Sequence, residues 1–148
     1  MIVVAPAVQG GVLDYASLVV GRLDAGSRLV TVRRHEGRVL RHHMQDEVVY
    51  LHYSGYGYAR RGAPLGLLRV LETSRRTRRA LIVYFHELYA SGPPWSSACW
   101  LSPLQRLVFR RLAELADGWM TSCERYAGLM PRSAIRKPHA IVPIPSNV

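Results

Sequence analysis

Lysine is almost absent from this chain of 148 residues, with Lys137 its only example. Acidic residues are also few, 10 against 20 lysines plus arginines, so the formal net charge is +10 and nearly all of it is arginine. Such a surface suits nucleic acid, anionic lipid headgroups or a phosphorylated ligand, and composition does not choose among them. No stretch of about 20 consecutive apolar residues is present, which excludes a transmembrane helix. The two cysteines, Cys99 and Cys123, fit no metal or redox spacing, so ordinary thiols in a reduced, cytoplasmic protein are expected. His42 and His43 make no metal site, because neighbours on a strand point to opposite faces and no carboxylate or cysteine lies at ligand spacing. No metal and no cofactor are therefore expected. The start, Met1-Ile2-Val3-Val4, carries no basic leader, in keeping with a cytoplasmic expectation. Internal repeats and low-complexity tracts are lacking too.

What is present is 49% hydrophobic content, enough for one domain over residues 1–148 with its own core. Residues 3–8 are a continuous apolar run of the kind that forms a strand buried on both faces. Gln9-Gly10-Gly11 breaks it, and Leu13, Ala16, Leu18, Val19 and Leu23 then repeat with helical spacing. Residues 29–32 read as a second strand, followed by a basic loop or edge hairpin over 33–41. Residues 48–53 are a third strand, and Pro64 opens an apolar helix over 65–71. The arginines at 75, 76, 78 and 79 read as a solvated face rather than a nucleic-acid site, because no aromatics interleave with them. Residues 81–85 are a fourth strand. Leu104, Leu107, Val108, Leu112 and Leu115 mark an amphipathic helix with Arg106, Arg110 and Glu114 opposite. A fifth strand over 119–122, helical turns over 124–130 and a sixth strand over 140–144 complete the chain. Strands alternating with helices at this spacing predict an α/β fold: a doubly wound, mostly parallel sheet with helices on both faces.

In an open parallel sheet, ligands bind outside the carboxyl ends of the strands. Three such ends are chemically suggestive. After the first strand, Gly10 and Gly11 permit a sharp turn and leave a helix N-terminus free for a phosphate; a tight strand-to-helix turn is the plainer reading. After the third comes Ser54-Gly55-Tyr56-Gly57-Tyr58, either an aromatic ligand loop or a glycine turn with packed tyrosines. After the fourth come His86 and Glu87. His86 suits a general base, a hydrogen-bond partner for a hydroxyl, or a packed histidine, and Glu87 suits a ligand contact or a helix cap. The loop over 91–103, with Trp95 and Trp100, is uncharged and long enough to suggest an acceptor pocket, a membrane contact or a cover for the core.

Four stretches in order, "VVAPAVQGGVLDYASLVVGRL", "VVYLHYSGYGYARRGAPLGLL", "LIVYFHELYASGPPWSSACWLSPLQRLVFRRLAELADGWMTS" and "PIPSNV", carry a family likeness. The chain resembles the N-terminal, Rossmann-like domain of a GT-B-fold glycosyltransferase of the retaining group-1 (family 4) type. The resemblance implies an acceptor-binding domain, with the nucleotide-sugar donor held mainly by a C-terminal domain that this sequence does not contain. It places Gly10 and Gly11 near the donor phosphates, and has His86 reach the transferred sugar or the acceptor hydroxyl. Tyr56, Glu87 and Trp95 are the further substrate-binding candidates. Ser146 and Asn147 would lie at the crossing into the second domain. The implied partners are a nucleotide-sugar donor, a glycan or lipid-linked acceptor and the missing domain. The charge would dock the protein peripherally on the anionic inner face of the membrane. The apolar patch facing the missing domain would alternatively pair two copies of the chain. The competing reading is a non-catalytic basic α/β binding or scaffold module, for a partner subunit or nucleic acid. The absence of an aromatic platform makes nucleic acid the weaker partner. A flavodoxin-like signalling domain ranks last, since residues 4–9 lack a carboxylate.

Overall fold

The computed structural model describes residues 1–34, 36–90, 95 and 97–144. Six strands form one sheet: β1 (Ile2–Pro6), β2 (Arg28–Val32), β3 (Val48–Tyr53), β4 (Ala80–Phe85), β5 (Gly118–Thr121) and β6 (His139–Ile141). Their order is β2-β1-β3-β4-β5-β6, and every neighbouring pair is parallel. The helices are α1 (Gly11–Arg22), α2 (Leu40–His43), α3 (Gly55–Tyr58), α4 (Leu65–Thr73), α5 (Ser97–Leu115), α6 (Glu124–Ala127) and α7 (Arg132–Ile135). The fold is a doubly wound, Rossmann-like α/β sheet, with no antiparallel strand among the described residues.

The two-residue period of the strands divides the core. Ile2 and Val4, Val49 and Leu51, and Val83 and Phe85 face a large cluster with Leu71, Val108, Phe109 and Leu112 from α4 and α5. Val3, Ala5, Tyr50 and Tyr84 face the other way, against Ala16 of α1 with Leu13, Tyr15 and Val19 packed around it. Central strands covered on both faces need continuous apolar runs, and β1 is buried at all five positions.

Several details differ from the sequence expectations. The first strand stops at Pro6 rather than at residue 8, and the sixth at Ile141 rather than at 144. The described residues of 33–41 hold no hairpin: a 3-10 turn at Gly37–Val39 runs into α2, because buried Leu40 and Met44 anchor that segment in the core. Residues 54–58 are not wholly loop, since Gly55–Tyr58 closes one helical turn with Tyr58 buried. α5 begins at Ser97, so the loop before it is shorter than read. Leu18, Leu104 and Leu107 belong to outward faces, at 53%, 39% and 52% exposure.

The arginine cluster also divides. Arg75, Arg76 and Arg79 are exposed, but Arg78 is buried. Its guanidinium donates to the carbonyl oxygens of Leu71 and Leu115, joining the ends of α4 and α5. The lone lysine does related work: Lys137 Nζ donates to the carbonyls of Ala113, Glu114 and Ala116 at 3.1, 2.6 and 2.6 Å, capping the C-terminus of α5. Removing a charged donor from buried carbonyls costs about 1.5–3 kcal/mol. Arg78→Ala is therefore expected to lower stability to urea by about 2 kcal/mol, with Arg76→Ala within about 0.5 kcal/mol of the parent. Equal effects of the two would make Arg78 another surface charge.

Candidate functional site

The sheet order reverses between β1 and β3, the switch point at which such folds open a crevice. Gly10 and Gly11 lie on its β1 side. Gly10 has φ 145° and ψ 176°, a region that side-chain-bearing residues rarely adopt, and it sits immediately before the 12-residue α1. An added Cβ at Gly10 or Gly11 would meet no atom within 4 Å, so the backbone here borders open space. Leu13 and Asp14 donate to Gly10 O at 3.0 and 3.2 Å, so the amides that helix geometry leaves for a ligand are those of Gly11 and Val12.

His86 follows β4, and its backbone amide continues the ladder by donating to Tyr53 O at 3.0 Å. Strand parity puts its ring with Tyr84 on the α1 face. There it meets a residue that sequence reasoning did not single out. His52 of β3, registered opposite Tyr84, places Nδ1 2.9 Å from His86 Nε2. Tyr15 of α1 contacts both imidazoles edge-on, with ring centroids 5.6 and 5.8 Å away. Tyr84 stacks on His52 and lies 4.4 Å from His86. His52 is fully buried and its Nε2 has no partner, while His86 keeps 9% exposure. The signal for His52 was available: a polar residue interrupting the otherwise apolar run "VVYLHY".

Burial sets the charge state of this pair. Desolvation disfavours imidazolium and pushes His86 down to about 4. The same cause, reinforced by His86, pushes His52 down to about 3. Both rings are thus neutral at pH 7, and a single N–H bridges the two facing nitrogens. A neutral imidazole offers a lone pair or an N–H to a hydroxyl without repelling a cation.

Glu87 lies across the sheet from its neighbour. It is exposed and accepts a hydrogen bond from Ser54 Oγ at 3.2 Å. With Tyr56, Tyr89, Gln105 and Tyr126 it lines a pocket of about 180 Å³ between the strand ends and α5. Gln105 organises this side. It is 1% exposed, accepts from Ala90 N at 2.7 Å, and donates to Tyr56 Oη at 3.1 Å and Arg61 O at 2.9 Å. Gly62, at φ 70°, lets it in, since a Cβ there would sit 2.6 Å from Gln105 Nε2. A glutamine at helical spacing among Leu101, Val108 and Leu112 was the sequence signal for it. Tyr53 Oη is buried without a partner, and burial together with the Glu87 carboxylate raises its pKa.

The sequence-derived candidates therefore divide in two. Gly10, Gly11 and His86 gather toward the α1 face, and Tyr56 and Glu87 share the α5-side pocket. Trp95 joins neither and is 85% exposed. Ser146 and Asn147 lie outside the described residues. Among the described residues no cluster of three or more histidine, cysteine or acidic side chains is placed to hold a metal. No helix among them is long and apolar enough to cross a membrane. No family model, curated protein or solved structure matches the chain.

The neutral histidines make stability depend on pH in a definite direction. Unfolded histidine takes up a proton near pH 6.5, whereas the folded pair does so only toward pH 4 and 3. The unfolded state therefore binds more protons as pH falls, and stability is lost from about pH 6.5 downward. The urea midpoint of the parent is expected to fall more between about pH 7 and 5 than that of His52→Gln/His86→Gln. Parallel pH profiles would mean that the imidazoles are charged, or solvated, in the folded protein.

Proposed function

We propose that this chain is the acceptor-side, Rossmann-like domain of a glycosyltransferase that moves a sugar from a nucleotide-sugar to a glycan or lipid-linked acceptor. The fold alone hosts many chemistries, so the reading must stand on the site. One observation carries it: the open Gly10-Gly11 turn at the start of α1 and the neutral His86 occupy the same rim and face the same side of the sheet. A diphosphate has its charge met at the helix N-terminus. His86 then supplies a hydrogen bond to a hydroxyl of the transferred sugar or of the acceptor, and His52 holds its ring in place. The Tyr56–Glu87 pocket supplies a carboxylate and aromatic walls for the acceptor. The sequence likeness over four ordered stretches supports the same assignment, and with it a donor-binding domain outside these residues.

The test is sugar transfer by the native protein isolated from its own cells, with labelled nucleotide-sugars and a panel of glycan and lipid-linked acceptors. His86→Gln is expected to lower kcat by about 100-fold or more while shifting the unfolding midpoint little. His52→Gln acts through His86, so its deficit should be smaller and its pH–rate profile altered. Turnover and stability falling together in His86→Gln would assign His86 a packing role. Transfer from no nucleotide-sugar would sink the proposal.

A further inference from the structure

The pocket between the strand ends and α5 has a chemistry of its own, unlike that of the His86 crevice. Its volume of about 180 Å³ is below the roughly 300–1,000 Å³ of sites for drug-sized ligands, so it fits one sugar ring or a group of similar size. Tyr56 of α3, Tyr89 after β4 and Tyr126 of α6 bring three aromatic rings to it. Glu87 is the one charged residue among the described residues that line it.

Hydrogen-bond accounting shows what a ligand here must supply. Gln105 has both amide hydrogens in use, on Tyr56 Oη and Arg61 O, so it offers a ligand no donor. An ionised carboxylate only accepts, and has about four lone-pair sites. Glu87 accepts from Ser54 Oγ at 3.2 Å and joins no ion pair among the described residues, although the chain holds 20 lysines and arginines. No described lysine, arginine or histidine lines the pocket, so nothing charged there meets a phosphate or a carboxylate. The rings share this preference, because aromatic faces attract cations. Tyr89 already has the Arg106 guanidinium 4.6 Å from its ring centroid, whereas Tyr56 and Tyr126 have no such cation among the described residues.

We infer that this pocket binds a protonated amine carried on a body the size of one sugar ring, with Glu87 accepting from the ammonium and the tyrosine rings surrounding it. A neutral hydroxyl could also donate to Glu87, but it would gain neither the charge-assisted bond nor the attraction of the rings. The net charge of +10 opposes a cation only at long range. Exposed charges are largely screened beyond about 8 Å at physiological salt, whereas Glu87 would meet the amine in contact. Resting on the transferase reading, the inference makes the acceptor an amino sugar with its amine free. The binding of an amine does not itself depend on sugar transfer.

The experiment is an NMR titration of the nitrogen-labelled protein at pH 7 with glucosamine, N-acetylglucosamine and glucose. These probes share a ring and differ in carrying an amine, an acetamide or a hydroxyl at one carbon. Glucosamine is expected to shift the signals of the Ala90 amide and the Gln105 side-chain amide, and to bind at least about tenfold more tightly than the other two. Glu87→Gln should bring the three affinities within about twofold of one another. Tyr126→Leu should weaken glucosamine binding by about threefold. Glu87 is exposed and Tyr126 partly so, and circular dichroism checks that both variants are folded. Equal binding of the three sugars, no binding, shifts confined to other surfaces, or a preference for glucosamine that survives Glu87→Gln would overturn the inference. A protein that prefers glucosamine yet transfers no sugar would keep the amine site and lose the transferase reading. An active transferase without that preference would do the reverse.

Discussion

The strand order β2-β1-β3 is the constraint on which the rest depends. Crossovers between parallel strands are right-handed, so a chain that steps one way from β1 to β2 and back the other way to β3 must place its helices on opposite faces. α1 takes one face, and α4 and α5 the other. The chain leaves β1 and β3 at this rim toward opposite faces, with Gly57 of α3 packed close on Pro6. The same reversal buries β1 from both sides, which is why its sequence is apolar at every position.

Strand parity converts that architecture into chemistry. Tyr50, His52, Tyr84 and His86 all fall on the α1 face, where Tyr15 closes over the imidazoles. Two histidines in such a place lose hydration and regain one hydrogen bond, to each other. Phenylalanine at both positions would satisfy the packing without leaving His52 Nε2 unpartnered in the interior. A polar pair kept against that local disadvantage, at the rim of a switch point, is the arrangement that a functional site would need. One residue further on, parity sends Glu87 to the opposite face. Adjacent residues thus serve two separate environments, and the sheet, rather than sequence proximity, decides which groups act together.

The elements whose patterns were strong in the sequence were legible. β3 runs over the residues expected, and the long apolar runs of β1 and β4 identify strands covered on both faces. Boundaries were less legible where a neighbour intervenes: Leu40 and Met44 pull a basic segment into helical turns because the core accepts them. Periodicity placed Val108 and Leu112 correctly but assigned Leu104 and Leu107 inward, because α5 is apolar on two sides and a pattern shows only that residues share a face. Charge misled at Arg78, whose fixed fork of donors makes it a better cap for two helix ends than a surface group. At the site, His86 was visible from its position after a strand. His52 and Gln105 left only a weak trace there, a polar residue in an apolar pattern, because their partners His86, Tyr56 and Arg61 lie more than 30 residues away in the chain.

α5 has two unlike sides. Its inner side inserts Gln105 into the network that shapes the Tyr56–Glu87 pocket, while its outer side presents Trp100 one to two turns away. Between them Arg106 lies over the ring of Tyr89, a wall of that pocket, at 4.6 Å. The packing of α5 and the shape of the pocket are therefore linked: Gln105 holds Tyr56 and Arg106 covers Tyr89, so a shift of the helix would move both aromatic walls together.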